Sequence, residues 1–391
     1  MKEAVIVANA RTAVGRAYKG SLKNTRPDDL MATCLKACIE RSGIKAEDLD
    51  DVIVGCATPE KDQGMNLGRI ALLKAGFPVQ VPGMTVNRFC SSGLQSIALA
   101  ADRIMAGGAD AILAGGVECM SMSNLLTARM YPNPELMATA PETYMAMGLT
   151  AEAVAQKYNI SREDADAFAV ESHRKALAAL ESGAFEDEIV DFEVFSKSLG
   201  KDAKVQEKSL SFKQDEGPRP ETTVEALAKL RPAFSPRGMS TAGNSSQVSD
   251  GAAAVLVCSR EYAEANGLEI QAVYKGFQLA GVPPEIMGIG PVAAIPKVLK
   301  QTGLSLDDMK VIELNEAFAA QSLAVINELG LDQSKVNPLG GAIALGHPLG
   351  CTGAKLTVTA LNETKRQGGG YFMVTMCIGG GMGAAGIFEV P

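Results

Sequence analysis

Tryptophan is absent from this 391-residue chain, aromatic residues make up 5% of it, and there are two histidines, His173 and His347. Each scarcity excludes something. With two histidines, and eight cysteines that form no CxxC or Cys/His set at zinc spacing, no metal site is expected. No run approaches the roughly 20 apolar residues of a membrane-spanning helix. The apolar stretch within Met1–Ala8 is too short for a signal peptide and lacks a cleavage site. The expectation is therefore a soluble, cytoplasmic protein with reduced cysteines. A net charge of −8 argues against general nucleic-acid binding, so an anionic ligand needs a local basic patch. Glycine, by contrast, is plentiful. Its 40 residues fall largely where strands pass into helices, and 47% apolar content is ample for a large α/β core or two domains.

The chain is organised around residues 83–107. A short β-type run, Met84-Thr85-Val86, leads through Asn87-Arg88-Phe89 to Cys90, and the small residues Ser91, Ser92 and Gly93 follow. A helical pattern then begins, with Leu94, Ile97, Ala98, Ala101, Ile104 and Met105 on one face and Gly107-Gly108 as its stop. Cys90 is thus expected at a strand-to-helix turn, beside free backbone N–H groups that favour an anion. Such a place lowers a thiol pKa toward neutrality and makes a nucleophile. The plainer alternative is a buried structural cysteine.

Taken in order, the spacing predicts strands at 4–8, 51–56 and 109–117, with helices at 27–42 and 65–75 and loop over 11–25. The C-terminal part repeats this order: strands at 273–279, 311–314 and 371–377, helices at 292–301, 317–329 and 350–366. Three matches lie 260 positions apart: Arg41-Ser-Gly43 with Gln301-Thr-Gly303, Cys90-Ser-Ser-Gly93 with Gly350-Cys-Thr-Gly353, and Ala111-Ile-Leu-Ala with Tyr371-Phe-Met-Val. A fourth, Gly251-Ala-Ala-Ala-Val-Leu with Gly383-Ala-Ala-Gly-Ile-Phe, lies 132 apart. The pattern reads as a duplication with one insertion between Glu118 and Asp250. The insertion holds Pro132, Pro134 and Pro141, helices at 150–158 and 165–183 with a helix start at Ser161-Arg-Glu-Asp164, and a charged segment, Asp187–Lys213. It reads as a loop-rich lobe covering a site at the strand ends.

Four stretches stand at strand ends or helix starts: the Cys90 turn, Asn315-Glu-Ala-Phe-Ala319, Gly340–Gly353 with His347, and Met376–Gly383 with Cys377. A Cys–His pair is a nucleophile–base arrangement, and a second cysteine facing the same point moves a proton to or from carbon. These blocks, Asn-Glu-Ala-Phe-Ala, Gly-His-Pro-Leu-Gly-Cys-Thr-Gly, Cys-Ile-Gly-Gly-Gly-Met-Gly and Asn-Arg-Phe-Cys-Ser-Ser-Gly-Leu, resemble the signatures of the thiolases. The likeness runs from Arg11-Thr12 to Gly386, and its wording is nearer degradative 3-ketoacyl-CoA thiolases than acetoacetyl-CoA thiolases.

The resemblance implies a thiolase fold, five-layered α-β-α-β-α, from two duplicated halves with an inserted loop domain. Residues 1–118 with 250–268 form the half that carries Cys90. Residues 119–249 are the inserted domain, for CoA binding and oligomer contacts, and 269–391 the half that carries His347 and Cys377. It also implies a ping-pong reaction. Cys90, activated by His347, takes the acyl group of a 3-ketoacyl-CoA, Cys377 protonates the departing acetyl-CoA enolate, and CoA releases the shortened acyl chain. The N–H groups of Cys90 and Gly379 hold one developing oxyanion; His347 and a water on Asn315 hold the other. Glycines after Cys377 are expected because side chains would keep the backbone from the thioester. CoA, a co-substrate and no permanent cofactor, is expected to meet Ser246, Met147, Phe234 and Phe318 along its arm and Arg219 near its nucleotide. A homodimer or homotetramer is implied, with other β-oxidation enzymes as possible partners.

Ala146, where biosynthetic relatives carry histidine, argues against narrow acetoacetyl-CoA specificity. The alternatives are an acetoacetyl-CoA thiolase run synthetically, a decarboxylating ketosynthase, and a non-catalytic acyl-CoA binder. Among the remaining candidates, His173 reads as a solvated helix residue. Cys34, Cys38, Cys56, Cys119 and Cys258 read as inert, Cys351 as helix-start packing, and Gly288–Ala293 as a false dinucleotide fingerprint because Pro291 removes an N–H.

Overall fold

Small and branched apolar residues alternate along the strands and sort them into layers. The computed structural model describes residues 2–123, 131–199 and 204–391. The principal strands are β1 (Ala4–Thr12), β2 (Asp51–Gly55), β3 (Met84–Val86), β4 (Ala111–Cys119), β5 (Ser249–Ser259), β6 (Ala272–Gly281), β7 (Met309–Leu314), β8 (Gly370–Ile378) and β9 (Met382–Val390). The principal helices are α1 (Pro27–Ser42), α2 (Leu67–Lys74), α3 (Ser92–Met105), α4 (Met147–Lys157), α5 (Arg162–Glu181), α6 (Gly290–Thr302), α7 (Ala319–Leu329) and α8 (Leu349–Arg366).

The strands bond in the order β7-β8-β9-β6-β1-β5-β4-β2-β3. The order is the same read outward from the middle in either direction. Each half has a corresponding parallel pair, β2/β4 or β7/β8, and two antiparallel pairs, β4/β5/β1 or β8/β9/β6, and the first half adds a second parallel pair, β2/β3. The halves join where β1 meets β6, at Val5↔Val273 and Ile6↔Ala272. Along β4, Ala111, Leu113 and Val117 pack with α1 and α2, whereas Ile112 and Ala114 face α3 and α8. Along β8, Phe372, Val374 and Met376 face α3 and α8, and Met373 faces α6 and α7. Two sheet faces thus enclose a shared helical layer and each carries helices outside, giving five layers, α-β-α-β-α.

The repeat needs one correction. Ala253, Val255 and Val257 of β5 face the central layer, as do Ala384, Phe388 and Val390 of β9. Gly115 pairs with Ala254 and Thr375 with Ala385. The β5/β9 offset is therefore 131, not 132. In so alanine- and glycine-rich a run a one-place slip costs nothing at the sequence level, yet it turns every side chain to the other face.

Two further expectations are corrected in the inserted lobe and the first strand. Strand β1 runs on to Thr12, because Arg11 is satisfied there although wholly buried. Its Nε donates to Glu188 Oε1 at 2.6 Å, and its Nη1 and Nη2 donate to Asp215 at 2.8 and 2.9 Å. Glu188 comes from the charged segment, Asp187–Lys213, and Asp215 lies just beyond its end. That segment holds an antiparallel hairpin, Phe192–Leu199 with Val205–Phe212. The helix start at Ser161 does form, with Ser161 Oγ accepting the Asp164 N–H.

Candidate active site

Strand β3 pairs in parallel with β2 and delivers the chain to a tight 3₁₀ turn, Phe89–Ser91, from which α3 departs. Phe89 has a left-handed φ of 44°, an expensive conformation for an aromatic residue. The turn is held by its own polar side chains. Asn87 Oδ1 accepts the Phe89 N–H at 2.8 Å, and Ser92 Oγ accepts the Arg88 N–H at 2.9 Å and donates to Phe89 O at 2.7 Å. Cys90 is held in this turn, which packs on both α8 and β8.

The sulfur of Cys90 is buried, and burial pushes its pKa up to about 11. This overturns the expectation of a thiolate at rest: the loss of solvation outweighs the help from the helix start. Two backbone N–H groups, of Gly379 and of Cys90 itself, bond the ionised sulfur and pull the other way. Cys377 is completely buried among Ala151, Met287, Ala317 and Phe318. Its pKa is driven up first by burial and then by the nearby charge of Cys90. The structure therefore brings Cys90, Cys377 and Gly379 together.

His347 precedes α8 and is buried, its pKa lowered to about 3 by burial and then by the charge of Lys355. It is a neutral imidazole. Thr352 Oγ1 lies 2.6 Å from Nδ1 and donates its own hydrogen to Pro348 O at 2.9 Å, so Nδ1 carries the ring proton. Nε2 keeps its lone pair and faces Asn315 Nδ2 at 3.3 Å. Asn315 is fixed at the end of β7 by its N–H to Thr375 O, and among the described residues its buried Oδ1 has no protein partner. The next residue, Glu316, accepts from Ser172 Oγ at 2.7 Å, Asn337 Nδ2 at 2.9 Å and the Ile343 N–H at 3.2 Å, tying this loop to the one before His347.

The residues assigned to the CoA arm divide. Met147 Sδ lies 3.5 Å from where a Cβ on Gly379 would stand. Phe234 presses on Gly148 and meets Phe318 edge-on, ring centroids 5.8 Å apart. Half-buried Ser246 donates its N–H to Ala317 O. These four form one wall beside Gly379 and Cys377. Arg219 stands apart: it is exposed and anchored by its own N–H to His173 Nδ1 at 3.1 Å. That bond corrects the reading of His173, which is buried, with a pKa lowered to about 4 by burial and then by Arg219. The glycines after Cys377 also meet constraints within the chain itself. A Cβ on Gly379 finds only ordinary contacts, whereas Gly380 and Gly381 have φ of 81° and 83° and Gly381 lies against the backbone at Val282–Pro284.

Sequence reasoning missed Glu118 and Thr352. An acid closing an otherwise apolar strand, and a hydroxyl one helical turn after His347, were the available signals. The other six cysteines are buried, with thiol pKa values pushed up by burial, as suits inert packing. A cavity of about 480 Å³ opens beside Glu316, Ser172 and Lys175; Cys90, His347 and Cys377 do not line it. Among the described residues no cluster of His, Cys, Asp or Glu is placed to hold a metal ion, and no helix is long and apolar enough to cross a membrane.

Comparison with known proteins meets this geometry. The family described as "Thiolase, N-terminal domain" matches residues 4–261, and "Thiolase, C-terminal domain" matches residues 268–390. The chain is 57% identical over 390 residues to a 3-ketoacyl-CoA thiolase of Bacillus subtilis, covering 100% of both chains. It is 48% identical to the peroxisomal 3-ketoacyl-CoA thiolase A of Rattus norvegicus, covering all of this chain and 89% of that one. Among solved structures, the dimeric peroxisomal thiolase of Saccharomyces cerevisiae superposes with a TM-score of 0.90 at 43% identity, covering 100% of this chain and 98% of that one. The acetyl-CoA acetyltransferase of Bacillus anthracis does so with a TM-score of 0.90 at 41% identity, covering 100% and 99%. Two family matches that together span nearly the whole chain, full-length relatives far above 30% identity and a shared fold place this chain in the thiolase family.

Proposed function

We propose that the protein is an acyltransferase that cleaves 3-ketoacyl-CoA with CoA, giving acetyl-CoA and a shortened acyl-CoA, in fatty-acid β-oxidation. The observation that carries this reading is the buried Cys90 sulfur, with Cys377 beside it and the Gly379 N–H aimed at it. A transferase that makes and breaks a C–C bond needs a nucleophile at one carbon and a proton carrier at the next.

The resting site is uncharged, with a thiol and a neutral imidazole. Cys90 gives its proton to Nε2 of His347 as its sulfur bonds to the 3-keto carbon. The oxyanion formed there is held by donors. The bond between C2 and C3 breaks, its electron pair passes to C2, and Cys377 donates the proton that converts the enolate to acetyl-CoA. The acyl group stays on Cys90 as a thioester whose oxygen meets the N–H groups of Cys90 and Gly379. Incoming CoA loses its thiol proton to Cys377 and attacks the thioester, and the departing Cys90 sulfur takes its proton back from Nε2 of His347. Once protonated at Nε2, His347 is a donor, and the unpartnered Oδ1 of Asn315 suits a water beside it. Each group returns to its starting state, so the cycle also runs backward as a Claisen condensation.

CoA binds as a co-substrate along Met147, Phe234, Phe318 and Ser246, with Arg219 at the outer rim toward the nucleotide. The inserted domain, residues 119–249, supplies much of that wall and the contacts of a homodimer or homotetramer. The described peroxisomal thiolase of yeast is a dimer. A cytoplasmic location and association with other β-oxidation enzymes complete the reading. Thiolysis assays with 3-ketoacyl-CoAs from C4 to C16 test it: activity beyond C4 is expected, and a sharp loss at C6 and above favours the acetoacetyl-CoA alternative.

A further inference from the structure

The seam between the halves is made where the starts of α3 and α8 touch backbone to backbone. A Cβ on Gly93 would lie 2.6 Å from Ala354 N and 2.9 Å from Gly350 O, and one on Gly350 would lie 2.7 Å from Cys56 Cα. Gly116 meets Gly350 O, and Gly353 meets Leu94 N, more closely still. The turn bearing Cys90 and the helix following His347 therefore cannot shift independently.

A carboxyl group enters this seam. Glu118, near the end of β4, is fully buried. Its Oε2 accepts the Gly350 N–H and the Ala57 N–H, each at 2.8 Å, and its Oε1 accepts Gln63 Nε2 at 2.6 Å and the Thr58 N–H at 3.2 Å. Four donors occupy both oxygens, which makes the group a carboxylate. Burial, the largest influence, raises its pKa and these four donors lower it; no cation is among the causes. Its charge reaches Cys90, and also the thiols of Cys56, Cys119 and Cys351. Of the other titratable groups, Cys377 on β8 feels the charge of Cys90.

Taking Cys90 as nucleophile and His347 as base, as proposed above, we infer that Glu118 is a positioning residue of the reaction. Its carboxylate fastens the start of the His347 helix to the 56–58 loop and sets a fixed negative charge behind the Cys90 sulfur. The first effect fixes the nucleophile relative to the base. The second adds to burial, the larger influence, in keeping Cys90 a thiol until substrate arrives, so that the free enzyme resists alkylation and oxidation.

The test is Glu118→Gln in the full-length enzyme, which keeps the shape and removes the charge. Alkylation of Cys90 by iodoacetamide is followed against pH by peptide mapping, a readout that needs no turnover, beside kcat and KM for thiolysis. The midpoint of alkylation moves to lower pH. kcat falls by about 100-fold, as a small misplacement of reacting groups does, while KM stays within about threefold. An unmoved or raised midpoint, or a kcat within about twofold of the parent, overturns the inference. Should that variant not fold, Gln63→Met carries the test. It removes one donor to Glu118, together with Gln63's bonds to Thr58 O and the Cys119 N–H, and leaves the charge, so kcat falls about tenfold, the scale of one charge-assisted hydrogen bond, and the midpoint does not drop. An unchanged kcat, or a lowered midpoint, overturns the inference there. Failure of the nucleophile reading looks different: Cys90→Ala would retain thiolysis whatever Glu118 does.

Discussion

β4 and β8 occupy equivalent places in the two halves, pair in the same sense with their neighbours, and end with different chemistry. β4 closes on Val117-Glu118, an apolar residue turned to the outer helices and an acid spent on four hydrogen bonds. β8 closes on Cys377-Ile378, a buried thiol beside Phe318 and Ala317 and an apolar residue in the central layer. The helix starts differ in the same way. Ahead of α3 stands the strained turn with Cys90; ahead of α8 stands His347, its tautomer set by Thr352. The scaffold occurs twice, and on the proposed mechanism its two copies divide the work: nucleophile and positioning acid in one, base and proton carrier in the other.

That division fixes a ranking of losses. Cys90→Ala removes the nucleophile, and thiolysis should fall by about 10⁵–10⁶-fold, the scale seen when a covalent catalyst loses its attacking group. Steady-state rates with a C8 substrate measure it, and residual activity within about tenfold of the parent breaks the assignment. Cys377→Ala should lower C–C cleavage by about 10²–10⁴-fold, the worth of general acid–base help, with acyl transfer onto Cys90 spared. Asn315→Ala removes the support for one oxyanion and should cost about 10²–10³-fold in kcat; an effect confined to KM would move Asn315 out of the reacting centre.

The smallest effect lies outside the halves' shared chemistry, at His173. Its folded pKa of about 4 is below the unfolded value near 6.5. The unfolded chain therefore takes up a proton that the folded one refuses. The stability is present above pH 6.5 and lost as pH falls from there toward 4, by about 3 kcal/mol at most. His173→Asn keeps an acceptor for the Arg219 N–H and removes the titration. Thermal unfolding from pH 7.5 to 4 should show a shallower decline for the variant than for the parent. Parallel declines would mean that His173 is more solvated than its burial implies.

Much of this was legible in the chain. Glycine stops, the 3.6-residue pattern after Cys90 and the repeated blocks marked the elements, because helix ends and buried strands leave local signatures. The sequence places Arg11 in a loop, since a lone charge after an apolar run looks like a strand end until Glu188 and Asp215 arrive from residues about 180 and 200 positions away. The acidity of Cys90 was misjudged for a similar reason. A helix start is a local feature, whereas desolvation depends on every layer packed above the turn. Glu118 escaped notice because its partners come from three separated segments, at 57–58, 63 and 350. The one-place slip between β5 and β9 arose where alanine and glycine carry too little pattern to mark a face.

The division of labour between the two cysteines is tested most directly by trapping the acyl-enzyme. Labelled acyl-CoA is mixed with the parent, Cys90→Ala and Cys377→Ala enzymes, quenched in acid, and mapped by peptide. Label should appear on Cys90 in the parent and in Cys377→Ala, and nowhere in Cys90→Ala. Label on Cys377, or a Cys377→Ala enzyme that fails to acylate as completely as Cys90→Ala, would contradict the account.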